Sequence, residues 1–141
     1  MATNRAVLVG GSPRPRGNTS YALDTVESVL SESECSTDRL QLSSLDFGSC
    51  TGCERCRKDK RCTGVIDELT PWYDKLLDAD LWVLGSPVYN YNVTSLMKAF
   101  IDRLYCFYDF EDGHPRPWSA RLSGLGKRVL TFVIGEQLDE E

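Results

Sequence analysis

Ala6-Val7-Leu8-Val9-Gly10-Gly11, followed by Ser12-Pro13-Arg14-Pro15-Arg16-Gly17 and then Asn18-Thr19-Ser20, is the stretch that decides the fold. An unbroken apolar run suits a strand buried on both faces of a parallel sheet, because a half-exposed strand would alternate. The glycines end the strand and the proline-rich segment reads as a loop. Asn18, Thr19 and Ser20 then offer N-cap side chains to a helix whose Ala22, Leu23, Val26, Val29 and Leu30 fall on one face. The stretch is a βα unit.

The same rhythm continues outward. Arg39 to Leu45 reads as a more polar, outer strand. Beyond a cysteine-rich interruption, Leu69, Trp72, Tyr73, Leu76 and Leu77 recur at helical spacing, with Pro71 tolerable in the first turn. Leu81-Trp82-Val83-Leu84 is a second buried strand, closed by Gly85-Ser86-Pro87. Val93, Leu96, Met97, Phe100, Ile101 and Leu104 share one helical face, with Lys98 and Asp102 opposite. An aromatic and polar connection from Phe107 to Gly126 leads to a fourth strand, Val129 to Ile134, ending at Gly135. Alternating strands and helices predict a three-layer, doubly wound parallel sheet with its ligand loops at the carboxyl ends of the strands. Those loops are Ser12 to Thr19, Pro87 to Asn92, and whatever follows Gly135. Residues 1–141 are read as a single domain, with the cysteine-rich insert at 48–64.

The chain has 141 residues, a formal charge of −5 and 41% hydrophobic residues, as expected for one globular domain. Its acidic balance argues against nucleic acid as the partner. No apolar run approaches the roughly 20 residues of a membrane span, and no signal segment is recognisable, so a cytoplasmic protein without membrane contact is expected.

The first loop lacks both G-x-G-x-x-G and the Walker Gly-Lys-Ser/Thr. It offers hydroxyls, an amide side chain, two guanidinium groups and a helix N-terminus, which together suit a terminal monophosphate. The bland alternative is a capped, proline-rich turn.

Cys50-x2-Cys53-x2-Cys56-x5-Cys62 places four thiols within thirteen residues. Successive two-residue gaps suit a loop wrapped around one cubane, whereas structural zinc sites separate two C-x-x-C knuckles by a dozen or more residues. Zinc and simple thiol chemistry remain alternatives. Between Glu54 and Arg61 five basic and two acidic residues make a basic island on an acidic chain. Such an island favours the reduced cluster and suits docking of an acidic electron carrier. Cys35 and Cys106 have no partner at ligand spacing and read as structural. His114, the single histidine, reads as a loop residue.

Three features together resemble the iron–sulfur flavoproteins of anaerobic archaea and bacteria. They are Gly11-Ser12-Pro13-Arg14 with Gly17-Asn18-Thr19, the compact four-cysteine motif, and Ser86-Pro87-Val88-Tyr89 with Lys98 and Asp102-Arg103 downstream. That family is a branch of the NAD(P)H-dependent FMN reductase-like proteins with the flavodoxin-like fold, and the resemblance covers about residues 5 to 135. It implies that Ser12, Arg14, Asn18 and Thr19, with Ser20 beside them, bind the FMN phosphate. It implies an isoalloxazine ring lined by Pro87, Val88, Tyr89, Asn90 and Tyr91, with Gly135 opening the third flavin loop. It further implies a 4Fe–4S cluster on Cys50, Cys53, Cys56 and Cys62. The assembly it implies is a homodimer or homotetramer that brings one subunit's cluster near another's flavin. Electrons would enter from a ferredoxin-like carrier or NAD(P)H and leave to a quinone, oxygen or peroxide, with no side-chain catalytic acid or base. Two other readings stand beside it: a cluster-free NAD(P)H-dependent FMN or quinone reductase, and a non-enzymatic electron carrier or zinc-stabilised module.

The family's fold ordinarily has a fifth βα unit, and only four strands are found here. The expectation is therefore a sheet that lacks this unit and ends on an apolar edge, exposed unless a missing segment or another chain covers it.

Overall fold

A computed structural model describes residues 4–112, 115 and 117–136; His114 lies outside them. Strand β1 (Arg5–Gly10) leads to helix α1 (Asn18–Glu32), and β2 (Ser36–Gln41) runs into a 3₁₀ turn. The cysteine segment contains one short helix, α2 (Cys56–Asp59). Then follow α3 (Trp72–Asp78), β3 (Leu81–Pro87), α4 (Ser95–Arg103), the hairpin strands β4 (Tyr108–Phe110) and β5 (Trp118–Ala120), and β6 (Arg128–Ile134). The main sheet has the order β2-β1-β3-β6, and all its pairs are parallel. This is the flavodoxin-like, doubly wound arrangement, with the strand order reversing beside β1.

β1 is buried on both faces because its side chains alternate between two apolar layers. Val7 and Val9 meet Leu40, Leu69, Tyr73, Leu76 and Phe100 on the α3/α4 side. Ala6 and Leu8 meet Leu23 and Val83 on the α1 side. Leu8 is 0% exposed, and burying such a side chain stabilises by about 1.5–3 kcal/mol.

Several expectations are corrected. The outer strand starts at Ser36 rather than Arg39 and stops at Gln41, because the ladder pairs Ser36 with Arg5 and Gln41 with Gly10. The N-cap of α1 is Gly17, and no side chain caps that end; Asn18, Thr19 and Ser20 already lie in the first turn. Val29 points outward. β3 runs on through Gly85, Ser86 and Pro87, which pair with Phe132, Val133 and Ile134 of β6. Gly85 permits this close approach, since a Cβ there would lie 2.5 Å from Phe132 Cζ. The connection after Phe107 folds into the antiparallel β4–β5 pair. β6 forms the expected edge: Val129, Leu130 and Val133 are 57%, 46% and 60% exposed.

Candidate functional site

The loops after β1, β3 and β6 meet at the carboxyl end of the sheet. Gly11 N donates to Gly85 O at 2.8 Å. The Thr94 hydroxyl, which caps α4 by accepting from Met97 N, donates to Gly11 O at 2.6 Å. Thr94 N in turn donates to Ser86 Oγ at 3.2 Å. Val88 N donates to Ile134 O, and Gly135 packs against Val88. The first loop is shaped by Ser12, whose Oγ accepts from Arg14 N. Gln41 Nε2 donates to Ser12 O at 2.7 Å, a buttress from the end of β2 that no motif announces.

Ser12, Thr19 and Ser20 are buried, while Arg14, Arg16 and Asn18 are exposed. The first bond of α1 runs from Tyr21 N to Gly17 O. The N–H groups of Asn18, Thr19 and Ser20 therefore precede the helical ladder, with no side-chain cap and no acidic residue in the first turn. A helix end left this way suits an anion.

Tyr89 and Asn92 exchange backbone hydrogen bonds across Asn90 and Tyr91, which have φ of 50° and 62°. Positive φ at both central positions is the pattern of a type I′ turn. Asparagine tolerates it, but an aromatic side chain does so at a cost of about 1–3 kcal/mol. The strained turn presents Tyr91 to solvent, 91% exposed.

Cys50, Cys53, Cys56 and Cys62 line a separate cavity of about 310 Å³. Cys50 and Cys53 are exposed, and Cys56 and Cys62 are half-buried. Gly52, with φ of 66°, turns the chain between the first two, and its N–H donates to Cys50 Sγ at 3.4 Å. Gly64 lets Cys53 approach closely, because a Cβ there would overlap Cys53 Sγ. Burial pushes the Cys56 thiol up, and the neighbouring Cys62, Cys50 and Cys53 add to the shift. A backbone hydrogen bond from Arg55 holds Cys53 below its ordinary value. Among the described residues no three His, Cys, Asp or Glu side chains are grouped to hold a metal ion.

Cys106 lines the same cavity. Spacing alone gave it no part in the cysteine cluster, since it follows Cys62 by more than forty residues. Burial pushes its thiol up to about 11, so it is a neutral group, and Sγ donates to Arg103 O. Cys35 stays apart, against the α1-side core.

The basic island is largely neutralised by its neighbours. Arg57 pairs with Glu54 at 2.8 Å, Lys60 with Asp109 and Arg61 with Asp74. Arg57 also lies 4.5 Å over the Phe110 ring and donates to Tyr105 Oη. Arg121 Nη1 joins Lys60 O to Cys106 O, so the hairpin region covers one side of the cysteine segment. Among the described residues, no ion pair involves Arg55 or Lys58.

Residues 4–128 match the family described as NADPH-dependent FMN reductase. An iron-sulfur flavoprotein of Archaeoglobus fulgidus is 32% identical over 139 residues, 91% of this chain and 70% of that protein. Another, from Methanocaldococcus jannaschii, is 31% identical over 99 residues, 70% of this chain and 51% of that protein. This chain spans about half the length of several such relatives. Among solved structures, an azoreductase from Bacillus anthracis superimposes with a TM-score of 0.72 at 14% identity, covering 99% of this chain and 72% of that one. That likeness is one of fold.

Proposed function

The chain belongs to the NADPH-dependent FMN reductase family and, within it, to the iron–sulfur flavoproteins; on that premise we propose that it is a flavin-dependent oxidoreductase that carries both FMN and a 4Fe–4S cluster. The observation that carries this reading is that Cys50, Cys53, Cys56 and Cys62 all line one cavity of about 310 Å³. A set made only of soft thiolates suits iron–sulfur chemistry, and the cavity has room for a cluster of several atoms.

The FMN phosphate would sit at the uncapped start of α1, where the free N–H groups of Asn18, Thr19 and Ser20 suit an anion and Ser12 and Arg14 would add a hydroxyl and a charge. Pro87, Val88, Tyr89, Asn90 and Tyr91 would border the ring, with Gly135 packed closely beside Val88. The cluster supplies single-electron steps and FMN two-electron ones, so the pair matches a one-electron donor to a two-electron acceptor. The residues themselves bind, orient and cover these groups. We assign the donor to a ferredoxin-like carrier or NAD(P)H, the acceptor to a quinone, oxygen or peroxide, and the working unit to a homodimer or homotetramer. Docking of an acidic carrier would rest on Arg55 and Lys58, because Arg57, Lys60 and Arg61 are already paired.

Anaerobic purification with iron, acid-labile sulfide and flavin quantified tests the proposal. Iron and sulfide in equal amounts together with FMN are expected. Flavin without iron would overturn it in favour of a cluster-free reductase, and a cluster without flavin in favour of an electron carrier.

A further inference from the structure

Arg103, at the last turn of α4, is among the largest fully buried side chains and is charged. A guanidinium has five N–H donors, and a buried one left short of partners is costly. Here every donor is used. Nε donates to Tyr73 Oη at 3.1 Å. Nη1 donates to Asp67 Oδ2 at 2.7 Å and Gly48 O at 2.8 Å. Nη2 donates to Asp67 Oδ1 at 3.2 Å and Val65 O at 3.1 Å. The Asp67 carboxylate also accepts from Gly48 N at 3.0 Å and Leu69 N at 3.1 Å. The Gly48 peptide is thus gripped at both its N–H and its C=O by one ion pair.

Gly48 and Val65 are the two stems of the segment that contains Cys50, Cys53, Cys56 and Cys62. That segment buries none of its residues fully, so apolar packing does little to order it. Its neck is closed by polar ties instead, continued one step outward by Asp46 N to Glu68 Oε2 at 2.6 Å. Arg103 also lines the cysteine cavity itself. The other end of α4 is anchored by Thr94 to Gly11 and Ser86, so one helix, about 13 Å of rise from Thr94 to Arg103, joins the hydroxyl loop to the cysteine neck.

We infer that Arg103 is a positioning residue: its bidentate pair with Asp67 clamps Gly48 and Val65 together and holds the four thiols in register for their inorganic occupant. The inference rests on the cluster reading for its last clause, and on geometry alone for the clamp. Lysine retains the charge but lacks the planar fork, so it cannot tie both stems and Asp67 at once.

The test compares wild type, Arg103→Lys and Tyr73→Phe, purified anaerobically, by amide hydrogen exchange and by the rate of iron loss to a chelator. In Arg103→Lys, exchange should accelerate over residues 48–65 while β1 and β3 stay protected. Iron loss should be about 10- to 100-fold faster, the usual effect of removing a support behind metal ligands. Tyr73→Phe removes the hydroxyl that accepts from Arg103 Nε and donates to Arg103 O, leaves the Asp67 pair in place, and should shift both readouts the same way by less; if Arg103→Lys does not fold, this variant decides the matter. Unchanged exchange over 48–65 in a folded variant overturns the clamp. Faster exchange with unchanged iron loss overturns its role toward the thiols. If wild type carries no iron, the cluster reading fails by itself, and exchange over 48–65 still decides the clamp.

Discussion

β1 and β6 are parallel strands of one sheet, each pairing with β3, and both are written in apolar residues. Every residue of β1 from Ala6 to Gly10 is buried, whereas Val129, Leu130 and Val133 of β6 are exposed. The difference lies in what lies over them. α1 covers one face of β1, and the α3/α4 layer covers the other. Among the described residues, β6 packs back chiefly through Phe132 onto Gly85. Apolar composition makes a strand; only neighbours on both faces turn it into a core.

That contrast can be broken by substitution. Leu8→Ala should cost about 2–5 kcal/mol, because a fully enclosed side chain leaves a cavity that cannot collapse; chemical denaturation measures it, and a loss near zero would remove β1 from the core. Gly85→Ala should cost about 1–3 kcal/mol by driving a methyl into Phe132. A thermal melt indistinguishable from wild type would mean that β6 does not rest on that glycine.

Acid sharpens the contrast between burial and charge as sources of order. Burial works to raise the Asp67 pKa, but hydrogen bonds from Arg103 and Gly48 outweigh it and hold the carboxyl below its usual value. A lowered native pKa contributes stability that is complete above the unfolded value of about 3.9 and is lost as pH falls through the native one. Protection of residues 48–65, taken relative to the intrinsic exchange rate at each pH, should therefore fall below about pH 4 before that of β1. Simultaneous loss would show that the neck and the core are one cooperative unit. The smallest effect is expected at the edge: Leu130→Ala should change stability of this chain by no more than about 0.5 kcal/mol. Val133→Lys should reduce self-association without lowering the melting temperature, as light scattering and a melt would report.

The strands were legible where local periodicity and burial agree. Ala6 to Val9 and Leu81 to Leu84 announce strands because only an enclosed strand tolerates unbroken apolar runs. The polar outer strand was misplaced at both ends, since Ser36 and Gln41 are strand residues only through their register with Arg5 and Gly10. The aromatic connection hid a hairpin because pairing of Tyr108 with Ala120 is a contact across the loop, not a pattern along it.

The candidate site divides the same way. The four-cysteine spacing and the hydroxyl loop were readable, because covalent spacing limits which side chains can gather. Cys106 and Gln41 were not, because each reaches its site from another element.

By itself, the sequence determined the order of elements, the buried central strands and the placing of four thiols on one short segment, all consequences of spacing along one chain. Tertiary structure alone decided that Arg103 lies buried and closes the cysteine neck, that Cys106 joins the cavity wall, and that Gln41 buttresses the first loop. Those outcomes depend on contacts between residues far apart in sequence, such as Asp67 and Arg103 with a separation of 36, where only packing sets the distance and the electrostatic environment.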